Sequence, residues 1–242
     1  MTLKKPTACL LDLDGTLMRH KNPKLIANLE RIDTVIHILT HPFKRSKTVP
    51  TEMDLTVNVE SNPLAHRLMH GIRIMRGIAA EDVVEPEKAA EKFLKFLKSK
   101  NILIGLSSNA YGRSYGKPVL RYYGLRDYFD ALLFRENVRH GKPYAEPVLR
   151  AIYSLGLDED TKQVIWFIGD QAKDMKAIIA AQKYLPKKWM LIPMAFKAKE
   201  STAYIYLSRK KARLKGVSSE NYVRDFHDAL SKLKKLRSYK NF

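Results

Sequence analysis

Asp12 and Asp14 stand one residue apart at the end of the apolar run Ala8-Cys9-Leu10-Leu11, with Gly15 and Thr16 directly behind them. Such a run reads as a buried strand of a parallel sheet. Carboxylates are rarely buried without a partner, so acids that end the strand belong at its exposed carboxyl edge, where open α/β sheets bind ligands. Two carboxylates held there could bind a hard dication through oxygen, and one could attack an electrophile. The pair asks for a metal and a phosphate-like substrate. Three later segments end in residues of similar capability: Ser107-Ser108-Asn109, Gly141-Lys142-Pro143, and Gly169-Asp170-Gln171-Ala172-Lys173-Asp174. Taken singly, each is weak, because serines after strands and Gly-Lys-Pro triplets most often make turns or caps.

Alternating strands and helices must position these groups. Ile102–Leu106, Tyr128–Phe134, Val164–Ile168 and Met190–Met194 read as strands. Between them, helical spacing recurs after Pro86 (Ala90, Phe93, Leu94, Leu97), after Pro118, from Glu146 to Leu155 and from Met175 to Tyr184. That order predicts an α/β fold with a doubly wound parallel sheet. Residues 19–83 break the rhythm. Asn22-Pro23 opens one amphipathic helix, residues 41–62 read as a polar loop, and a second helix is expected from Pro63 to about Ile78, so this stretch is predicted to be a mostly helical insert. The expected organisation is a core of residues 1–18 and 84–200, the insert, and a basic C-terminal extension over 201–242. In that extension Val223, Phe226, Leu230 and Leu233 mark an amphipathic helix expected to dock on the core.

Composition narrows the classes. With 242 residues and a 45% hydrophobic share the chain can bury a full core, which argues against disorder. Cys9 is the single cysteine, which excludes an intramolecular disulfide and a cysteine-based zinc site. His66 and His70 share a helical spacing but lack a third ligand. No apolar stretch approaches the ~18 residues a transmembrane helix needs. The initial run is interrupted by Asp12 and Asp14, so no signal peptide is read, and a cytoplasmic location is expected. The formal net charge is +19, and residues 182–242 hold sixteen Lys or Arg against four Asp or Glu. Weak contact of this basic C-terminal region with nucleic acid or another polyanion is the minority expectation, since no groove-reading or aromatic-interleaved motif accompanies it.

Taken in order, the four segments resemble the haloacid dehalogenase-like superfamily of phosphohydrolases: residues 12–17, a hydrophobic strand into Ser108-Asn109, residues 141–143 and residues 169–174. The resemblance covers the core and implies a Rossmann-like sheet with a helical cap inserted between the first two motifs. It implies Asp12 as nucleophile and Asp14 as general acid, then base. Mg²⁺ would be held by Asp12, Asp14, Asp170 and, directly or through water, Asp174. Phosphate would be bound by Ser108, Asn109, Lys142 and Gly15, with Lys142 also holding Asp12 ionised; Ser107 is the rival of Ser108. Thr16 is expected to cap the turn and hydrogen-bond Asp14.

Within the family, dehalogenases lack an acid at the place of Asp14, so phosphoryl transfer is favoured over C–halogen cleavage. Phosphonate hydrolases use a lysine of the insert, and no pattern singles out Lys21, Lys24 or Lys44. The expected activity is Mg²⁺-dependent hydrolysis of a small phosphorylated metabolite; the alternatives are a nucleic-acid- or polyanion-binding protein that uses the fold and the basic C-terminal region, a nucleic-acid-end phosphatase, and a phosphomutase. Gln171 replaces a common small hydroxyl residue, and Tyr144-Ala145-Glu146 is an unusual sequence after the Gly-Lys-Pro turn.

Overall fold

The computed structural model describes residues 3–21, 77–197 and 219–236. The expected insert helices, the 41–62 loop, Lys24, Lys44, His66, His70 and most of the basic segment after residue 197 lie outside these residues. Six parallel strands make the main sheet: β1 (Ala8–Leu11), β4 (Leu103–Ser107), β5 (Ala131–Leu133), β6 (Val164–Gly169), β7 (Met190–Phe196) and β8 (Tyr222–Val223). Their spatial order is β5-β4-β1-β6-β7-β8. The chain builds outward from β1 on one side and then returns to build on the other. β1 therefore lies at the switch point, where a doubly wound sheet leaves a crevice at its carboxyl edge.

Side-chain alternation along β1 feeds both faces. Cys9 and Leu11 join a core with Phe93, Leu94 and Leu97 of α2 (Ala90–Ser99), Val119 and Leu120 of α3 (Lys117–Tyr122), and Phe226 of α6 (Phe226–Lys235). Ala8 and Leu10 join the opposite core, with Val148 and Ile152 of α4 (Glu146–Tyr153) and Met175 and Ile178 of α5 (Ala172–Gln182). Cys9 is the small buried hydrophobe its setting implied, and burial pushes its thiol pKa up.

A second, two-stranded sheet pairs β2 (Met18–His20) antiparallel with β3 (Val84–Pro86), and the short α1 (Ala80–Val83) leads into it. The chain thus leaves the core and returns to it at one place, closed by the Lys21 N–H on the Val83 carbonyl at 3.0 Å. Two local expectations change. The strand expected over Tyr128–Phe134 is confined to Ala131–Leu133, because Arg126–Tyr128 wind into a 3₁₀ turn. Asp130 then accepts a hydrogen bond from Ile104 N (2.7 Å), which fixes the turn against β4. At the C-terminus the chain also contributes β8 to the main sheet before α6 begins.

The docking of α6 follows from its sequence. Asp225 accepts a hydrogen bond from Asp228 N (2.8 Å) as the N-cap, and Lys232, Lys234 and Lys235 sit in the last turn, where the helix dipole favours cations. Phe226 is fully buried, with its ring 5.1 Å from Phe93 and 4.9 Å from Phe196. Phe226→Ala should therefore cost about 3–5 kcal/mol of stability, measured by urea unfolding, with little change in m-value.

Candidate active site

β1 ends at Leu11, level with Leu106 of β4 and Ile168 of β6. The three segments that follow these strands therefore emerge side by side at one edge. They bring Asp12, Ser107-Ser108 and Gly169-Asp170 together, and Asp12 N is fixed on the Ile168 carbonyl at 3.0 Å. Lys142 reaches this point from the loop before α4. Its ammonium lies 2.7 Å from Asp12 Oδ1, 2.5 Å from Asp174 Oδ1 and 2.9 Å from the Ser107 carbonyl, with the Phe167 ring 5.4 Å away. The ammonium thus hydrogen-bonds Asp12 and the Ser107 carbonyl and forms an ion pair with Asp174, which places the charge expected to serve phosphate directly beside Asp12.

The loop that presents Lys142 is held by Asn109. Its Oδ1 accepts Lys142 N (2.8 Å) and its Nδ2 donates to the Lys142 carbonyl (2.9 Å). A Cβ on residue 141 would lie 2.8 Å from Asn109 Oδ1, which explains the glycine before the lysine. Asn109, expected among the phosphate ligands, thus spends its amide side chain on positioning Lys142. Ser107 is removed as a rival ligand, because its hydroxyl donates to the Pro147 carbonyl at 3.2 Å. Ser108 Oγ accepts Ala110 N at 3.0 Å, which leaves its own proton for an anion.

Asp12, Asp170 and Asp174 can each offer a carboxylate oxygen within 4.8 Å of the others. Thr16 Oγ donates to Asp170 Oδ1 at 3.1 Å, so its partner is Asp170 and not Asp14 as the sequence suggested. Gly15 has φ +78°, and a Cβ there would stand 2.2 Å from Asp170 Oδ2. Only glycine permits both the left-handed turn and that approach. The Gly15 N–H, expected to serve phosphate, donates instead to the Met18 carbonyl (2.8 Å) and tightens the turn. Asp174 is wholly buried; its Oδ2 accepts Gln171 N at 3.0 Å, capping α5, while Oδ1 faces Lys142. Asp14 is not in the cluster. Its Oδ1 accepts a hydrogen bond from the Tyr115 hydroxyl and lies 3.7 Å from His20 Nε2. Tyr115 carried no motif signal, since it reaches Asp14 only through tertiary structure.

The electrostatics favour an added cation. Burial pushes Asp12 up, Lys142 pulls it down and Asp174 adds to the rise, leaving it at about 6. Asp170 is pushed up to about 8 by burial and by the Asp12 and Asp174 carboxylates, with the Thr16 hydrogen bond opposing. Burial alone would lower Lys142, but Asp12 and Asp174 outweigh it and hold the ammonium above its ordinary range. Three acids are thus gathered around a single ammonium, which contacts Asp12 and Asp174 but not Asp170. Their donor set is all oxygen, which suits a hard divalent ion in the excess negative charge. For oxyanions, the N–H groups of Leu13, Asp14 and Asn109 have no hydrogen-bond acceptor among the described residues and flank the Asp12 edge.

A model of haloacid dehalogenase-like hydrolases matches residues 6–182. The chain belongs to that family. It is an enzyme, a hydrolase of that family, as the motifs implied. It is 28% identical over 180 residues to pyrophosphatase PpaX of Bacillus velezensis, covering 73% of this chain and 80% of the relative. It is 24% identical over 192 residues to a phosphoglycolate phosphatase of Nitrosococcus oceani, covering 74% and 82%. A solved family hydrolase from Ehrlichia chaffeensis shares the fold with TM-score 0.55 at 18% identity, over 97% of this chain and 99% of its own. So does a β-phosphoglucomutase from Clostridium difficile, with TM-score 0.54 at 20% identity over 95% and 98%.

The two raised carboxyl groups fix a pH dependence. In the metal-free state the folded protein retains protons that the unfolded chain releases from about pH 4 upward. The stability from Asp12 and Asp170 is thus full below that point and is lost as pH rises through about 6 and 8 respectively. Thermal melts of EDTA-treated protein should show Asp170→Asn flattening the decline between about pH 6 and 8. A divalent ion should raise the wild-type Tm more at about pH 8 than at about pH 6, because its ligands must first lose protons.

Proposed function

We propose that this enzyme is a Mg²⁺-dependent phosphomonoester hydrolase that passes its substrate's phosphoryl group through Asp12. The observation that carries this reading is the Asp12 carboxylate itself. Its Oδ1 is pinned by Lys142, its Oδ2 accepts no hydrogen bond from the described residues, and unpaired N–H groups flank it. Mg²⁺ in the Asp12, Asp170 and Asp174 cluster would offset the repulsion between a carboxylate and a phosphate dianion.

The roles of the chain's own residues follow. An Asp12 oxygen forms a bond to phosphorus as the bond to the leaving oxygen breaks, and Asp14 gives that oxygen a proton. Asp14 then takes a proton from the water that attacks the aspartyl-phosphate, releasing phosphate and restoring Asp12. The N–H groups of Leu13, Asp14 and Asn109, with the Ser108 hydroxyl, hold the equatorial oxygens, while the Lys142 charge favours the ionised nucleophile. The likeness to a pyrophosphatase and a phosphoglycolate phosphatase supports small phosphorylated substrates. Contacts to the leaving group are expected from the segment between His20 and Ala80.

Asp12→Asn should lower kcat/KM for para-nitrophenyl phosphate by about 10⁴-fold or more while leaving the fold intact by circular dichroism. EDTA should abolish wild-type turnover and Mg²⁺ restore it. Stoichiometric release of inorganic phosphate separates hydrolysis from transfer to a second hydroxyl. Undiminished turnover by Asp12→Asn would remove the reading.

A further inference from the structure

Asp14 is the one acid of the first motif that stands apart from the carboxylate cluster, and the structure offers a reason. Its Oδ1 accepts the Tyr115 hydroxyl proton, and His20 Nε2 lies 3.7 Å from the same oxygen. Oδ2 receives no hydrogen bond from the described residues, and the side chain is 28% exposed. The phenol is the opposite case: Tyr115 is only 5% exposed. It sits in the π-helical turn Gly112–Gly116 that runs into α3.

That turn is held from several sides. Glu136 accepts Gly112 N through both carboxylate oxygens at 2.9 Å and Arg113 N at 3.1 Å. Gly116 N bonds the Tyr111 carbonyl at 2.8 Å, and Arg135 N bonds the Ala110 carbonyl at 3.0 Å. The irregular turn continues directly from the Ser108-Asn109 segment, so the phenol and the anion-binding groups share one support. π-helical turns are rare and frequently lie at functional sites.

We propose that Tyr115 is a positioning residue for proton transfer. By donating to Asp14 Oδ1, it keeps that carboxylate out of the Asp12, Asp170 and Asp174 cluster and leaves Oδ2 facing the cleft for the leaving oxygen. Without the tether Asp14, two residues from Asp12, is free to turn toward solvent or toward the metal-binding acids. Tyr115 itself touches no reacting atom. This inference rests on the hydrolase reading for its kinetic consequence, but not for its structural one.

The experiment has three parts. First, wild type and Tyr115→Phe are compared on aryl and alkyl phosphates whose leaving groups span a wide range of basicity. A misplaced general acid matters most where the leaving oxygen is basic. The loss in kcat should therefore be within about threefold for para-nitrophenyl phosphate and about 30-fold or more for alkyl phosphates. A uniform loss across the series, or none, overturns the proposal. Second, Tyr115→Phe should have no further effect in an Asp14→Ala background; additive losses would show that the phenol acts elsewhere. Third, the crystal structure of metal-free Tyr115→Phe should show the Asp14 carboxylate displaced. An unmoved carboxylate overturns the proposal whether or not any ester is hydrolysed, whereas a displaced carboxylate in a protein whose wild type hydrolyses nothing removes only the hydrolase reading. If Tyr115→Phe does not fold, Glu136→Gln, which loosens the turn and keeps the phenol, is judged by the same leaving-group slope.

Discussion

The site is organised around one buried ammonium. Lys142 has no exposed side-chain surface, and taking such a charge out of water costs several kcal/mol unless oxygen ligands replace its hydration. Here the replacements come from the ends of three neighbouring strands: Asp12 after β1, the Ser107 carbonyl of β4 and Asp174 behind β6. The sheet edge and the ammonium are therefore mutually dependent. Removing the cation would leave two buried carboxylates uncompensated, and displacing any strand end would strip the cation of a ligand. This explains why Asn109 is devoted to the Lys142 backbone, since a small shift of that loop would propagate to the Asp12 carboxylate.

The same constraint separates carboxylates that look equivalent in the sequence. Asp12 touches the buried cation, Asp170 is held by Thr16 beside the Gly15 turn, and Asp174 caps a helix while facing Lys142. Asp14 alone is turned to a neutral phenol and a partly exposed edge. Environment sorts acids into different chemical duties when it differs this sharply over a few ångströms. Asp12 and Asp170 are raised first by burial and then by the neighbouring carboxylates, and a dication would relieve that repulsion.

The strands and the polar residues gathered at their carboxyl ends were readable because each is a local pattern: a buried run, then an acid, hydroxyl or lysine in the next few residues. The doubly wound parallel sheet follows from such runs alternating with helical spacing. What escaped is non-local. The Thr16 bond spans 154 residues to Asp170, and the Tyr115 bond spans 101 to Asp14. Neither pairing has a spacing rule, because it depends on how two turns meet above the sheet. At Gly15 the contact is local instead: its N–H closes a turn on Met18, a commitment that glycine's identity does not announce. β8 was missed because two residues, Tyr222-Val223, are too short for a periodic signal and qualify as a strand only beside β7.

The point where the chain leaves the core toward residues 22–76 bears on the same chemistry. β2 begins at Met18, whose carbonyl and N–H both close the Gly15 turn, and it ends at His20, against Asp14. β3 brings the chain back beside it, with Arg19 and Glu85 paired at 3.0 Å. Glu87 then bonds its N–H to the Leu17 carbonyl at 2.9 Å, and its carboxylate pairs with Lys197 at the end of β7. The chain thus leaves for residues 22–76 through a strut anchored on the turn that shapes Gly15 and Asp170. A displacement of β2 would therefore act on the Asp14 side of the site, through His20 and the Met18 bonds. Asp12 has fixings of its own, Ile168 below and Lys142 beside it, which belong to the sheet edge and the 141–143 loop.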